Sequence, residues 1–155
     1  MYFRVHSGFC APAAPRCGPL ATNFLAGVEH AMNAGLGRHL LLECHDCAAD
    51  LADGVALEAL LRRAADAAGA HVLSAHMHPF GAGLGVTGVL LLRESHISVH
   101  TWPEHGYAAV DVFMCGDAEP QRAIAVVIAG LAPRTHRVVE VARGTARDAA
   151  TASAS

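Results

Sequence analysis

The chain has 155 residues, 53% hydrophobic and 16% charged, with a formal net charge of −3. That is enough for one domain with a real core, and the absence of a basic block excludes a nucleic-acid footprint. No apolar run is long enough to span a bilayer, and residues 1–20 set Arg4, His6 and Arg16 among prolines where a secretion signal would need a continuous apolar stretch.

Residues 1–35 read as an N-terminal extension, weakly ordered or carrying one helix. Tyr2–His6 is a candidate first strand. Ala21–Asn33 is a candidate helix, because Leu25, Val28 and Met32 share a face and Gly35 and Gly37 stop it. Arg38–Cys44, with Leu40, Leu41 and Leu42 at its centre, predicts a buried strand. Val55–Ala68 predicts a helix with Val55, Leu57, Leu60, Leu61 and Ala64 inward, closed by Gly69.

His71–Met77 predicts a strand, and the glycines between Phe80 and Gly85 a flexible loop. Val86–Leu92, Ser95–Thr101 and Ala108–Cys115 predict three more strands, the last two joined by a turn at Pro103–Gly106. Pro120–Leu131 predicts a helix that starts on its proline and turns Ile124, Val127, Ile128 and Leu131 inward. His136–Val141 predicts the last strand, and 144–155 a disordered tail. Strands interrupted by two helices define an α+β fold, a two-layer sandwich with a mostly antiparallel sheet and its helices on one face. The other face then needs a cover, and a second copy of the chain is the economical one, giving a dimer.

Glu94 to Cys115 carries a possible chemistry. A Ser95 hydroxyl held against a strained backbone can attack the carbonyl of Glu94 and form an ester. Loss of the Ser95 α-proton then expels Glu94 as a carboxylate, and the dehydroalanine left behind hydrolyses to a pyruvoyl group. His100 suits the proton acceptor, since neutral imidazole works near neutral pH. Thr87 on the neighbouring strand offers a supporting hydroxyl. Five residues separate Ser95 from His100, so an unbroken strand points them to opposite faces, and the scheme needs a kink or bulge near Ser95. A pyruvoyl ketone takes up a substrate amine as a Schiff base and draws the electrons left by departing carbon dioxide. Cys115, ending its strand beside Gly116, suits the acid that protonates the resulting carbanion. Ser–His spacing of this kind is also common by chance, and a cysteine after Val-Phe-Met is often a buried hydrophobe.

Residues 36–143 resemble the prokaryotic S-adenosylmethionine decarboxylases. The resemblance rests on Gly37-Arg38-His39-Leu40, Glu43, Gly85-Val86-Thr87-Gly88, the run Glu94–Glu104, Gly106–Phe113, Cys115-Gly116 and Val138-Val139-Glu140 before Arg143-Gly144. It implies a proenzyme cut between Glu94 and Ser95, with pyruvoyl at the start of the second chain. It implies His100 and Thr87 in processing and Cys115 as proton donor. Glu104 would face the ribose hydroxyls, Phe80 or Trp102 the adenine or sulfonium, and Glu43 would help hold the substrate. It also implies a homodimer of αβ units acting on S-adenosylmethionine for polyamine synthesis. Met114, where the family has threonine, and His105, where it has tyrosine, depart from the pattern. Rival readings keep the cofactor but take ornithine or arginine, or make the chain an unprocessed, non-catalytic partner subunit.

Five cysteines, at 10, 17, 44, 47 and 115, cannot all pair, which suggests free thiols in a reducing cytoplasm. Cys44-His-Asp-Cys47 has metal or redox spacing, and His76 and His78 add imidazoles. A zinc site would need a matching second pair, and Cys10 and Cys17 make a poor one, so no metal is assigned.

Overall fold

In the computed structural model residues 35–145 are described. Six strands form, with period-two alternation clearest in the central ones: β1 (Gly37–Cys47), β2 (Val72–Pro79), β3 (Val86–Leu92), β4 (Ser95–Trp102), β5 (Tyr107–Cys115) and β6 (Pro133–Arg143). They form one sheet in the order β2-β3-β4-β5-β1-β6, every neighbouring pair antiparallel. Leu40, Leu42, Val86, Leu90, Ile97, Val99, Val110 and Val112 are all buried on one face. Two helices, α1 (Gly54–Ala67) and α2 (Pro120–Leu131), cover that face.

Asp53 caps α1, its carboxylate accepting from the N–H groups of Val55 and Ala56 at 3.0 Å. Leu57, Leu60, Leu61, Ala64 and Ala65 point into the core. Val55, expected inward, is 82% exposed. It lies two residues before Leu57, about 200° away around the helix, so it cannot share that stripe. On α2 the buried set is Pro120, Ala123, Ile124, Val127 and Leu131, with Ile128 only half-buried. The helices touch where Gly130 meets Leu60; a Cβ at Gly130 would strike the Leu60 side chain.

Three strands and both helices match the sequence reading to within a residue at each end. β1 and β6 run further than expected because they pair with each other from Gly37–Arg143 to Cys47–Pro133. β6 is an exposed edge strand, so its outer residues carry no alternation, and a leading proline is tolerated there. The expected helix at Ala21–Asn33 and strand at Tyr2–His6 lie outside the described residues. Among the described residues no helix is long and apolar enough to cross a membrane.

Among the described residues, Thr101 is the one buried polar side chain. Its Oγ1 accepts from the Val86 N–H at 2.8 Å and donates to the Leu51 carbonyl at 2.7 Å, fixing β4 to β3 and to the loop before α1. Thr101→Val keeps the volume and strands both backbone groups. A loss of about 1–3 kcal/mol is expected, read as a lower urea midpoint at unchanged slope.

Candidate active site

β3 and β4 are joined by two residues, Arg93 and Glu94, with Leu92 paired to Ser95. Tight hairpins of this length prefer positive φ at their central residues, which matches the twist of the strands. Here neither Arg93 nor Glu94 adopts positive φ, and Ser95 does, at 146°. A side-chain-bearing residue held there stores about 1–3 kcal/mol. The kink required near Ser95 is therefore present, as a strained dihedral; the pairing of β4 with both neighbours runs without a register shift.

The hairpin is gripped from both flanks. Toward β2, the Glu94 carboxylate accepts from the His71 N–H at 2.8 Å and from His71 Nδ1 at 3.0 Å. The backbone bond first and the ring second hold its pKa below the usual carboxylate range. Toward β5, the Glu94 carbonyl oxygen accepts from the Cys115 N–H at 3.1 Å and the Cys115 thiol at 3.0 Å. Two donors on the carbonyl that precedes a strained serine are what acyl transfer from nitrogen to hydroxyl needs, since negative charge develops on that oxygen. Ser95, Glu94 and Cys115 are thus brought together.

The other predicted residues gather at the opposite end of the sheet. Thr87 Oγ1 lies 2.8 Å from His100 Nδ1 across β3 and β4. Both line a cavity of about 380 Å³ together with Phe80, Trp102 and Glu104. That size suits a small ligand. Its wall depends on Gly85, where a Cβ would collide with the Thr101 carbonyl. Glu43 does not line the cavity. Its carboxylate accepts from the Tyr107 hydroxyl, which pushes the Tyr107 pKa up to about 12. Tyr107 in turn lies 5.2 Å from the Trp102 ring and 5.0 Å from His45. Sequence reasoning passed over Tyr107, although its place after the Trp-Pro-Glu corner puts it opposite Trp102 in the β4–β5 ladder.

Ser95 and His100 stand at opposite ends of one continuous strand, five residues apart. At about 3.3 Å per residue that is roughly 16 Å. Within one chain His100 does not reach Ser95, contrary to the expectation that a kink alone would join them. The ring that touches the Ser95 hydroxyl is His96, with Nδ1 at 3.2 Å.

A family model described as S-adenosylmethionine decarboxylase matches residues 38–144. A relative named S-adenosylmethionine decarboxylase proenzyme, from Parasynechococcus marenigrum, is 47% identical over 112 residues, covering 71% of this chain and 87% of its own. Another of that name, from Methanococcus aeolicus, is 42% identical over 112 residues, covering 71% and 95%. A crystal structure described as the adenosylmethionine decarboxylase from Aquifex aeolicus VF5 is similar with a TM-score of 0.65 at 39% identity, covering 74% of this chain and 96% of that one. The chain belongs to the S-adenosylmethionine decarboxylase family.

The cysteines separate by environment. Cys44 is fully buried on the helix-covered face, and burial pushes its thiol up to about 12. Cys47 is half-buried and also raised, mainly by burial. Metal binding and thiol exchange both use the thiolate, which these surroundings disfavour. Among the described residues no group of three or more His, Cys, Asp or Glu side chains is placed to hold a metal ion. Cys115 is exposed. Iodoacetamide at pH 8 should therefore label Cys115 well before Cys44, which should react only after unfolding. Peptide mapping showing equal labelling of the native protein would contradict this placement.

Proposed function

We propose that the chain is a self-cleaving, pyruvoyl-dependent decarboxylase. It converts S-adenosylmethionine to the decarboxylated aminopropyl donor for polyamine synthesis, and it works as a homodimer of αβ units. The observation that carries this reading is the Glu94 carbonyl, held by two donors of Cys115 in front of a strained Ser95. The names of its relatives favour this substrate over ornithine or arginine, and favour an enzyme over a non-catalytic partner.

The roughly 16 Å between Ser95 and His100 is the argument for the dimer. His96 beside Ser95 at one end, and His100 and Thr87 at the other, lie on the sheet face that the helices leave open. That face also carries Leu91 and Val141, 49% and 40% exposed. A two-fold axis near Ser98, midway along β4, would stack two such faces. It would set His100 of the partner subunit beside Ser95, twice per dimer.

In that assembly the Ser95 hydroxyl attacks the Glu94 carbonyl carbon, and Cys115 donates to the oxyanion. The bond to the Ser95 nitrogen breaks, leaving an ester. His100 of the partner subunit, fixed by its own threonine at 87, then takes the α-proton of residue 95 and Glu94 leaves as a carboxylate. Hydrolysis of the dehydroalanine releases ammonia and leaves pyruvoyl, whose keto group supplies the electron sink for decarboxylation. Phe80 and Trp102 offer faces to an adenine, Glu104 accepts from ribose hydroxyls, and Glu43 acts through Tyr107 on the Trp102 ring. Cys115, exposed next to residue 95, delivers the proton to carbon. This role needs a free thiol, which assigns the enzyme to a reducing cytoplasm.

Mixing two inactive variants tests the shared site. Ser95→Ala and His100→Ala chains should each stay full length alone. Co-expressed with different tags, they should form mixed dimers in which only the His100→Ala chain is cut, because its Ser95 meets an intact histidine. If neither chain is cut, the site is not built from two subunits.

A further inference from the structure

We infer that His96 is the base that activates the Ser95 hydroxyl for the first step of self-cleavage. This deepens the proposed function and rests on it. Two protons must leave residue 95 during processing, one from Oγ and one from Cα, and a single imidazole on the partner subunit accounts only for the second. A serine hydroxyl is a weak nucleophile until a base takes its proton.

His96 is placed for that role. Its Nδ1 lies 3.2 Å from Ser95 Oγ. With the ring hydrogen on Nε2, Nδ1 is a free acceptor. The ring is half-buried and held edge-on between His39, at 6.1 Å and 78°, and Phe113, at 5.8 Å and 68°. His39 is itself oriented by Arg143, whose Nη1 donates to His39 Nδ1 at 3.2 Å. Burial, more than any other influence, lowers the His39 pKa. The wall beside His96 is thus a neutral ring, and a cation there would make His96 a poorer base.

The step balances without a co-reactant. The Oγ proton passes to His96 Nδ1 as the bond from Oγ to the Glu94 carbonyl carbon forms. The carbonyl π pair moves onto oxygen, where the Cys115 N–H and thiol receive it. When that pair returns, the carbon–nitrogen bond breaks, and Nδ1 hands the same proton to the departing nitrogen of residue 95. An ester, a free amine and an unchanged His96 remain.

The test follows cleavage of freshly made full-length chain by denaturing gel and intact mass, with and without hydroxylamine, which splits an ester at that position. Wild type should cleave. His96→Ala should slow cleavage by about 100-fold or more, show no fragments released by hydroxylamine, and recover with added imidazole. Cleavage at the wild-type rate would overturn the assignment. So would build-up of a hydroxylamine-labile ester, since His96 would then act after the acyl shift. A slow variant with lowered urea stability that imidazole does not rescue would also overturn it, because lost packing would then explain the defect. Should His96→Ala fail to fold, His96→Gln, which keeps a polar side chain but cannot take a proton, should be equally slow, and rapid cleavage by it would overturn the assignment. A wild-type chain that never cleaves would instead remove the self-cleavage reading beneath it.

Discussion

The grip on the Glu94 carbonyl is the interaction on which the rest of the molecule depends. One end of the hairpin is tied to His71 at the start of β2, and the other to Cys115 at the end of β5. Between these anchors the chain has two residues in which to reverse direction, and the twist they do not supply falls on Ser95. Unpaired, a strained residue at a loop tip would relax. Paired on both sides within a continuous sheet, it cannot, and the strain is kept at the bond that the proposed self-cleavage breaks.

The fold serves that arrangement by separating stability from chemistry. The helix-covered face holds the hydrophobic core, tied internally by Thr101. The open face holds most of the groups of the proposed chemistry: His96 and His100 on β4, Thr87 on β3, and Glu43, Tyr107 and Asp111 on the strands beyond. Because alternate residues of one strand feed the two faces, a single run from Ser95 to Trp102 contributes to both. Ser95 and His100 stand roughly 16 Å apart along it, and the proposed pairing with a second copy would bring such groups together as well as cover apolar surface.

The sequence made much of this legible for physical reasons. Alternation in Val86–Leu92 and the proline start of Pro120–Leu131 located those elements because burial on one face leaves a period in the residues. β6 left a weaker signal, since an exposed edge strand is defined by backbone pairing with β1, which its side chains do not report. Val55 was misplaced because an apolar residue near a helix start need not share the buried stripe. The motif around Ser95 supplied the residues of the proposed chemistry. It could not tell that Ser95 and His100 stand apart within one chain, because linear spacing does not distinguish a bent strand from a straight one. Nor did it single out His96 or Tyr107, whose surroundings come from strands that only the fold brings beside them.

The most direct test of the account is the chemical state of residue 95 in mature protein. Mass spectrometry of the purified chain, before and after treatment with phenylhydrazine, reads it. The account predicts two chains divided between Glu94 and Ser95, the second blocked at its start by a keto group that adds the hydrazine. A single chain with an ordinary amide at that position and no hydrazine-reactive carbonyl would contradict it.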